Sequence, residues 1–399
     1  MRATTLFNRL LDLPGTSVSE VTFAPGVVTV TVSLRRRRLL CPCCDYWTSA
    51  VYDTRPAPSS WRHLDMGKWK LVIRASLRRL NCPAHGVLVE QVPFARHRSG
   101  LTRDFEDLVA YLATKTDKTA ITRILRIDWD TVGRACERVV ADGLDPCRLE
   151  GLVSIGVDEV SWRKHHRYLT LVTDHVAGKI VWGAEGKDTA TLDAFFDDLG
   201  SERAAALQAV SMDMGPAFAK SVTAPGHAPQ AVICIDPFHA VKLAGDALDV
   251  LRRQTWNELR QLPDQAAARK FKGARWSLMK KPENLTDEQS ATLRRLRNHG
   301  GDLDPADTGE LLDRSISKAS RSGLAPFVKV AKTIRKHRDG ILAAIRLKIN
   351  NARAEGLNNH VRLITRRAYG FHSPTAALAL VMLSCGPIQL RLPHETTPR

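Results

Sequence analysis

A chain of 399 residues with 44% hydrophobic and 25% charged content is long enough for two to four packed domains, which excludes a disordered polymer. Lys and Arg number 59 against 42 Asp and Glu, giving a net charge of +17. The excess recurs in clusters (Arg35 to Arg38; Arg78 and Arg79; Arg96, His97 and Arg98; Arg294 and Arg295; Arg335, Lys336, His337 and Arg338; Arg366 and Arg367) rather than in one tail, so a nucleic acid is the expected partner. No apolar run is long enough to cross a bilayer, and the N-terminus lacks a secretory core. The eight cysteines, three of them among residues 41–44, suit a metal site better than a disulfide framework, so no membrane contact and a reducing, cytoplasmic location are expected.

Residues 1–98 read as a β-rich unit. Val28, Val30, Val32 and Leu34 alternate with polar neighbours, as do Leu71, Ile73, Ala75 and Leu77, which is the period of a half-buried strand. Cys41 and Cys44 follow the first run; Cys82 and His85 follow the second. A two-residue gap lets both side chains of a knuckle face one ion, so the two knuckles predict a zinc ribbon-like domain holding structural Zn²⁺ through Cys41, Cys44, Cys82 and His85, with Cys43 a competitor for Cys44. Residues 99–150 read as helical. Phe105, Leu108, Val109 and Leu112 make one apolar stripe, Ala120, Ile121, Ile124 and Leu125 a second, and Val132, Cys136, Val139 and Val140 a third after a capping Asp128. Three short helices with a tight turn before the last fit a helix-turn-helix or a plain helical linker. On the third, Arg134 and Arg138 are expected to be exposed.

From 151 the pattern becomes α/β. Strands are expected at 152–160, 167–173 and 178–184, joined by short connections that favour antiparallel pairing. A helix from Asp188, a strand at 207–213, a helix near 216–222 and a strand at 231–235 follow. Three antiparallel strands and then two separated by helices is the order of a ribonuclease-H-like core, assigned here to 151–250. Residues 251–345 are basic and helix-rich, too long for a connection, and read as a helical insertion. Residues 346–399 return C-terminal helices to the core, which makes the chain multidomain α/β.

Three acids stand out in this basic chain. Asp158 lies in the apolar run from Leu152, Asp213 ends the run from Ala209, and Glu355 lies in a helical stretch. Two divalent cations about 3.5–4 Å apart need several carboxylate oxygens, so the set points to metal-dependent phosphoryl transfer on nucleic acid. Leu357, Val361, Ile364 and Ala368 form the docking stripe of the last helix, while Glu355, Asn359, Arg362 and Arg366 form a polar one. Gly356 fits close backbone packing or DNA approach. Glu159 alternates away from Asp158 and is expected at the surface. Asp236 is an alternative to Asp213 as second carboxylate, and His239 is placed near the site.

The elements Val157-Asp158-Glu159, Ser211-Met212-Asp213-Met214, Asp236-Pro237-Phe238-His239 and Glu355-Gly356-Leu357-Asn358-Asn359 resemble the DDE transposases of the ISL-three group of bacterial insertion sequences. The resemblance covers nearly the whole chain. It implies a zinc-binding domain, a helix-turn-helix and a ribonuclease-H-like catalytic domain with an inserted helical part. The last knuckle departs from the family's usual second Cys, His85 standing there. The resemblance further implies catalysis by Asp158, Asp213 and Glu355 with two Mg²⁺ (or Mn²⁺), cleavage at transposon inverted-repeat ends and strand transfer into target double-stranded DNA. Asp236, His239, Asn359 and Arg362 stand near the site, and Arg134, Arg138, Arg294, Arg295 and Arg366 are expected to contact DNA. A homodimer or higher oligomer on DNA is expected, in a bacterial, nucleoid-associated setting. The rival readings are a nuclease or resolvase that only hydrolyses, and a DNA-binding regulator with an inactive third domain.

Overall fold

A computed structural model describes residues 2–163, 167–261, 284–291, 308–349, 352–368 and 371–395, with Ser277 and Lys280. Helix α1 (Ala3–Leu11) precedes strands β1 (Thr16–Ala24), β2 (Val27–Leu34), β3 (Leu39–Leu40), β4 (Trp47–Thr48), β5 (Asp53–Thr54), β6 (Ser59–Met66), β7 (Trp69–Ala75), β8 (Arg78–Cys82) and β9 (Gly86–Val89). The alternation seen in the sequence is used as expected: Val28, Val30 and Val32 on β2 and Leu71, Ile73 and Ala75 on β7 all point into one core with Phe7 of α1. The sheet order is β1-β2-β7-β6, with β2 and β7 parallel. The β3–β4 hairpin and the β5-β8-β9 sheet sit beside it.

Helices α2 (Arg103–Lys115), α3 (Lys118–Leu125) and α4 (Trp129–Gly143) follow. Thr102, Asp117 and Asp128 cap them, each side chain accepting a bond from a backbone N–H of the first turn, which satisfies an otherwise orphaned donor. Between α3 and α4, Arg126 takes a left-handed conformation (φ 55) that makes the turn tight. Ile124, expected in the second stripe, instead faces solvent at 61% exposure. The two turns of α3 pack by the narrow i, i+4 pair Ile121 and Leu125 alone. His63 of β6 is buried and its Nδ1 lies 2.8 Å from Thr102 Oγ1, which ties the first sheet to the α2 cap.

The second sheet contains β10 (Ser154–Arg163), β11 (Arg167–Asp174), β12 (Lys179–Glu185), β13 (Ala209–Met212) and β14 (Val232–Ile235), in the order β12-β11-β10-β13-β14. The first three are antiparallel; β10, β13 and β14 are parallel. Helices α5 (Thr189–Leu199), α6 (Ser201–Ala205) and α7 (Pro216–Val222) lie in the crossovers. Ile155, Val157, Val210 and Met212 bury one face of the sheet against Leu192, Phe195 and Phe196 of α5.

Helix α8 (Pro237–Gln261) starts directly after β14 and runs unbroken through the boundary expected at 250/251. Helices α9 (Thr308–Arg321), α10 (Ala325–Lys336) and α11 (Arg338–Arg346) come later. The expected boundary at 345/346 falls within the last turn of α11, a helix that packs on the second sheet. A Cβ on Gly340 would stand 2.8 Å from Ile235 Cγ1 and 3.2 Å from Ile233 O, so only glycine lets α11 lie this close on β14. Ile341 joins the core of the second sheet.

Helices α12 (Ala352–Arg367) and α13 (Pro374–Cys385) cover the other face, packing Val361, Ile364, Leu380 and Val381 on Val160, Trp162, Leu169 and Leu171. The apolar residues of α13 run all round it, and such a helix must be buried on every side. It is: Ala379 and Leu383 also pack on Ala110 of α2 and Cys136 and Val139 of α4. No helix among the described residues is long and apolar enough to cross a membrane.

Candidate active site and metal cluster

Parallel pairing of Gly156 with Ser211 puts the next residues of the same face side by side, Asp158 in the middle of β10 and Asp213 just past the end of β13. Burial first, then the charge of Asp213, pushes the Asp158 carboxyl up to about 6, against the pull of the Glu159 backbone N–H, Arg362 and His239. The Glu159 amide donates to Asp158 Oδ1 at 2.6 Å. Asp158 Oδ2 accepts from Asn358 Nδ2 of α12.

Burial also raises the Asp213 carboxyl, with His239 and Lys242 pulling it down and Asp236 pushing it up. His239 Nε2 of α8 lies 2.9 Å from Asp213 Oδ1. That oxygen is shielded from solvent and has no aligned hydrogen bond, although the side chain is 44% exposed. An anionic oxygen held so, beside a second carboxylate, fits a cation. Asp236 is buried at the end of β14, one strand further from Asp158, and its charge reaches Asp213. Glu159 is half-buried rather than a plain surface residue: burial raises its carboxyl, Lys187 lowers it and Asp213 raises it.

Glu355 lies near the start of α12, three residues before Asn358; its side chain is outside the described residues. Asn359 accepts from Arg362 Nη1 at 3.1 Å, and both are exposed, as is Arg366 one turn on. A Cβ on Gly356 would meet nothing within 4 Å, so close backbone packing is not what that glycine serves. Asn358 is the residue that sequence reasoning missed. Its signal was spacing: Val361 and Ile364 lie three and six residues on and are buried, so the amide sits on the docking side of the helix.

The two knuckles meet. Ligand atoms of Cys41, Cys44, Cys82 and His85 all lie within 4.8 Å of one another. Cys44 Sγ is 3.7 Å from Cys82 Sγ, and His85 Nδ1 is 3.5 Å from Cys82 Sγ and 3.9 Å from Cys41 Sγ. A tetrahedron with Zn–S bonds of about 2.3 Å has edges of about 3.8 Å, so the cluster fits zinc without rearrangement. Burial raises the Cys82 thiol, but hydrogen bonds from His85, the neighbouring backbone amides and Cys44 outweigh it and bring the group to about 6, close to the thiolate a metal needs. Cys43 points away, its Sγ 4.0 Å from His97 Nε2.

On α4, Arg134 is exposed, 3.8 Å from Asp128. Arg138 is not the exposed residue expected. Its Nε donates to Glu106 Oε1 at 2.6 Å, and the fully buried Glu106 also accepts from Arg96 and Ser99. A buried carboxylate needs such partners, and Arg138 is long enough to reach across from α4 to α2. Arg294 and Arg295 lie outside the described residues.

Carboxylates brought together by the adjacent strands β10 and β13, in a chain otherwise strongly basic, mark an enzyme of the DDE class that acts on DNA. Comparison with known proteins carries this to a family. Residues 155–306 and 301–380 match the ISL3 family model described as "Transposase". Residues 90–140 match "Helix-turn-helix domain of transposase family ISL3". The chain is 40% identical over 380 residues to the transposase for insertion sequence element IS1557 of Mycobacterium tuberculosis, covering 86% of this chain and 85% of that protein. It is 28% identical over 355 residues to the transposase for insertion sequence element IS1001 of Bordetella parapertussis, covering 84% and 85%. The chain belongs to the ISL3 family of transposases.

Proposed function

We propose that this transposase binds the inverted-repeat ends of its element and catalyses both cleavage and strand transfer at one site, formed by Asp158, Asp213 and Glu355 on a ribonuclease-H-like core. The juxtaposition of Asp158 and Asp213, close enough for the Asp213 charge to raise the Asp158 carboxyl, carries the reading. The sheet order, three antiparallel strands extended by two parallel ones, supports the fold. The proposed domain limits are a zinc ribbon-like domain over 1–98, a helix-turn-helix over 99–150 and a catalytic unit from 151, with a helical insertion at 251–345.

Asp158 and Asp213, with Glu355 brought by α12, would hold Mg²⁺ or Mn²⁺. When bound, the ions activate the attacking oxygen and stabilise the leaving one. The chain's own residues set the geometry. Asn358 fixes the Asp158 carboxylate through Oδ2, leaving Oδ1 to the Glu159 amide. His239 orients Asp213. Asn359, Arg362 and Arg366 lie on the exposed side of α12, and the two arginines meet phosphate. Water opens a phosphodiester at the element end and frees a 3′-hydroxyl, which displaces at a phosphate of target DNA. The Cys41, Cys44, Cys82 and His85 cluster holds structural Zn²⁺, and Arg134 of α4 reads a base edge in the major groove. A labelled end incubated with target DNA and Mg²⁺ tests this: joined product is expected from the wild type and none from Asp158→Asn, Asp213→Asn or Glu355→Gln. Cleaved ends without joined product would refute strand transfer.

A further inference from the structure

The outer surface of the zinc-cluster unit has features the catalytic site does not use. Arg35, Arg36, Arg37 and Arg38 are consecutive and all exposed. The Arg38 guanidinium stacks 4.1 Å over the ring of Trp47, which is 48% exposed. Arg78 Nη2 donates to Arg36 O at 3.0 Å, and the next guanidinium, Arg79, lies 5.7 Å from the ring of Tyr52. Tyr52 is 59% exposed, and its backbone N–H bonds Arg79 O. Arg38 with Trp47 and Arg79 with Tyr52 are thus two cation–ring pairs on this unit, the arginine run being tied to the neighbouring strand by the Arg78 bond to Arg36 O.

The charges on it divide into two kinds. Arg78 is neutralised by Glu90 and Arg79 by Asp53, so these two serve the fold. No acid pairs with Arg36, Arg37 or Arg38 among the described residues. Three unneutralised guanidinium groups beside two solvent-facing rings combine backbone neutralisation with flat stacking surfaces. Duplex DNA would use only the charges, because its bases are stacked on each other. An unpaired strand uses both, since every free base has a π-face to lay on Trp47 or Tyr52.

We propose that this surface binds unpaired DNA, with Arg36, Arg37 and Arg38 on the phosphates and bases stacked on Trp47 and Tyr52. This rests on the chain's acting on DNA but not on the assignment of Asp158, Asp213 and Glu355. The test uses the full-length, zinc-loaded protein and a thymidine oligonucleotide, with duplex of the same length as comparison and binding read by fluorescence anisotropy. Trp47→Ala and Tyr52→Ala should each weaken single-strand binding about tenfold and duplex binding less than about twofold, and Trp47→Phe should recover most of the loss. Arg37→Gln with Arg38→Gln should lower the salt slope for the single strand by about 0.7 for each phosphate contact removed. Asp158→Asn should lose cleavage yet keep this binding, which separates failure of the catalytic reading from failure of this one. In the wild type, an oligonucleotide carrying iodouracil should cross-link on irradiation to Trp47 or Tyr52. Cross-links mapped only elsewhere, or ring variants that bind the single strand as the wild type does or lose both forms equally, overturn the proposal.

Discussion

Replacing Asp158 with Asn should make the metal-free protein more stable at neutral pH while abolishing cleavage. The folded protein raises the Asp158 carboxyl from 3.8 to about 6, chiefly by burial and by the Asp213 charge. At about 1.4 kcal/mol per pH unit, holding the ionised form costs about 3 kcal/mol above pH 6. The sign follows from proton binding. The folded state holds this proton more tightly than the unfolded state, so the stability it confers is complete below about 3.8 and is lost as pH rises to about 6. Asn cannot ionise and escapes the cost. It has one acceptor oxygen, however, where Asp158 accepts from both Asn358 and the Glu159 amide, so one donor loses its partner at a cost of about 1–2 kcal/mol. The net gain is about 1–2 kcal/mol near pH 7.5, a rise of roughly 2–8 °C in the transition of the catalytic unit. By about pH 4 the wild-type cost has largely gone, and the variant should become the less stable of the two. Calorimetry in EDTA across this range measures it, and added Mg²⁺ should raise the wild-type transition only. A variant less stable than the wild type at neutral pH, or a difference that does not change with pH, would refute the reasoning.

Asn358→Ala should lower cleavage and apparent Mg²⁺ affinity about 10- to 100-fold without changing end binding, read by cleavage against metal concentration. Burial pushes His63 down to about 4. Its unfolded form takes up a proton first as pH falls, so about 3 kcal/mol of stability should drain away between pH 6.5 and 4, and His63→Gln should flatten that slope in denaturant unfolding. Cys82→Ser should abolish zinc in metal analysis and open the first domain to proteolysis while the catalytic unit stays resistant. Arg134→Ala should lower preference for the cognate end over random DNA by about 1–3 kcal/mol in competition binding at fixed salt. Arg138→Ala should instead cost about 1–3 kcal/mol of stability by stripping a partner from buried Glu106.

Much of this arrangement was legible because it is periodic. Strand alternation gave the inward face of β2 and β7, and strand order with a period of two placed Asp158 beside Asp213. Knuckle spacing pointed to Cys41, Cys44, Cys82 and His85, which meet, but left Cys43 a competitor; its Sγ instead lies near His97. The misses concern partners distant in sequence. A helical wheel shows Arg138 as polar but not that Glu106, 32 residues upstream, lies buried within its reach. Asn358 had no role in the sequence beyond its place in the Glu355 to Asn359 element; its bond to Asp158 spans 200 residues. Helical periodicity likewise reports that α8 and α11 exist, not that one crosses 250/251 and the other packs on β14.

Helix α13 is apolar on every side and packs on the second sheet and on α2 and α4. The DNA-reading helices and the carboxylate sheet therefore share a core instead of being strung on a linker. If α4 reads the element's end and the Asp158 site cuts it, as proposed above, mounting both on one strut would fix the span between base pairs read and bond cut, and the chain would work as a ruler. An element whose terminal repeat moved by one base pair relative to its end would then present the wrong phosphate, rotated about the duplex axis as well as shifted along it.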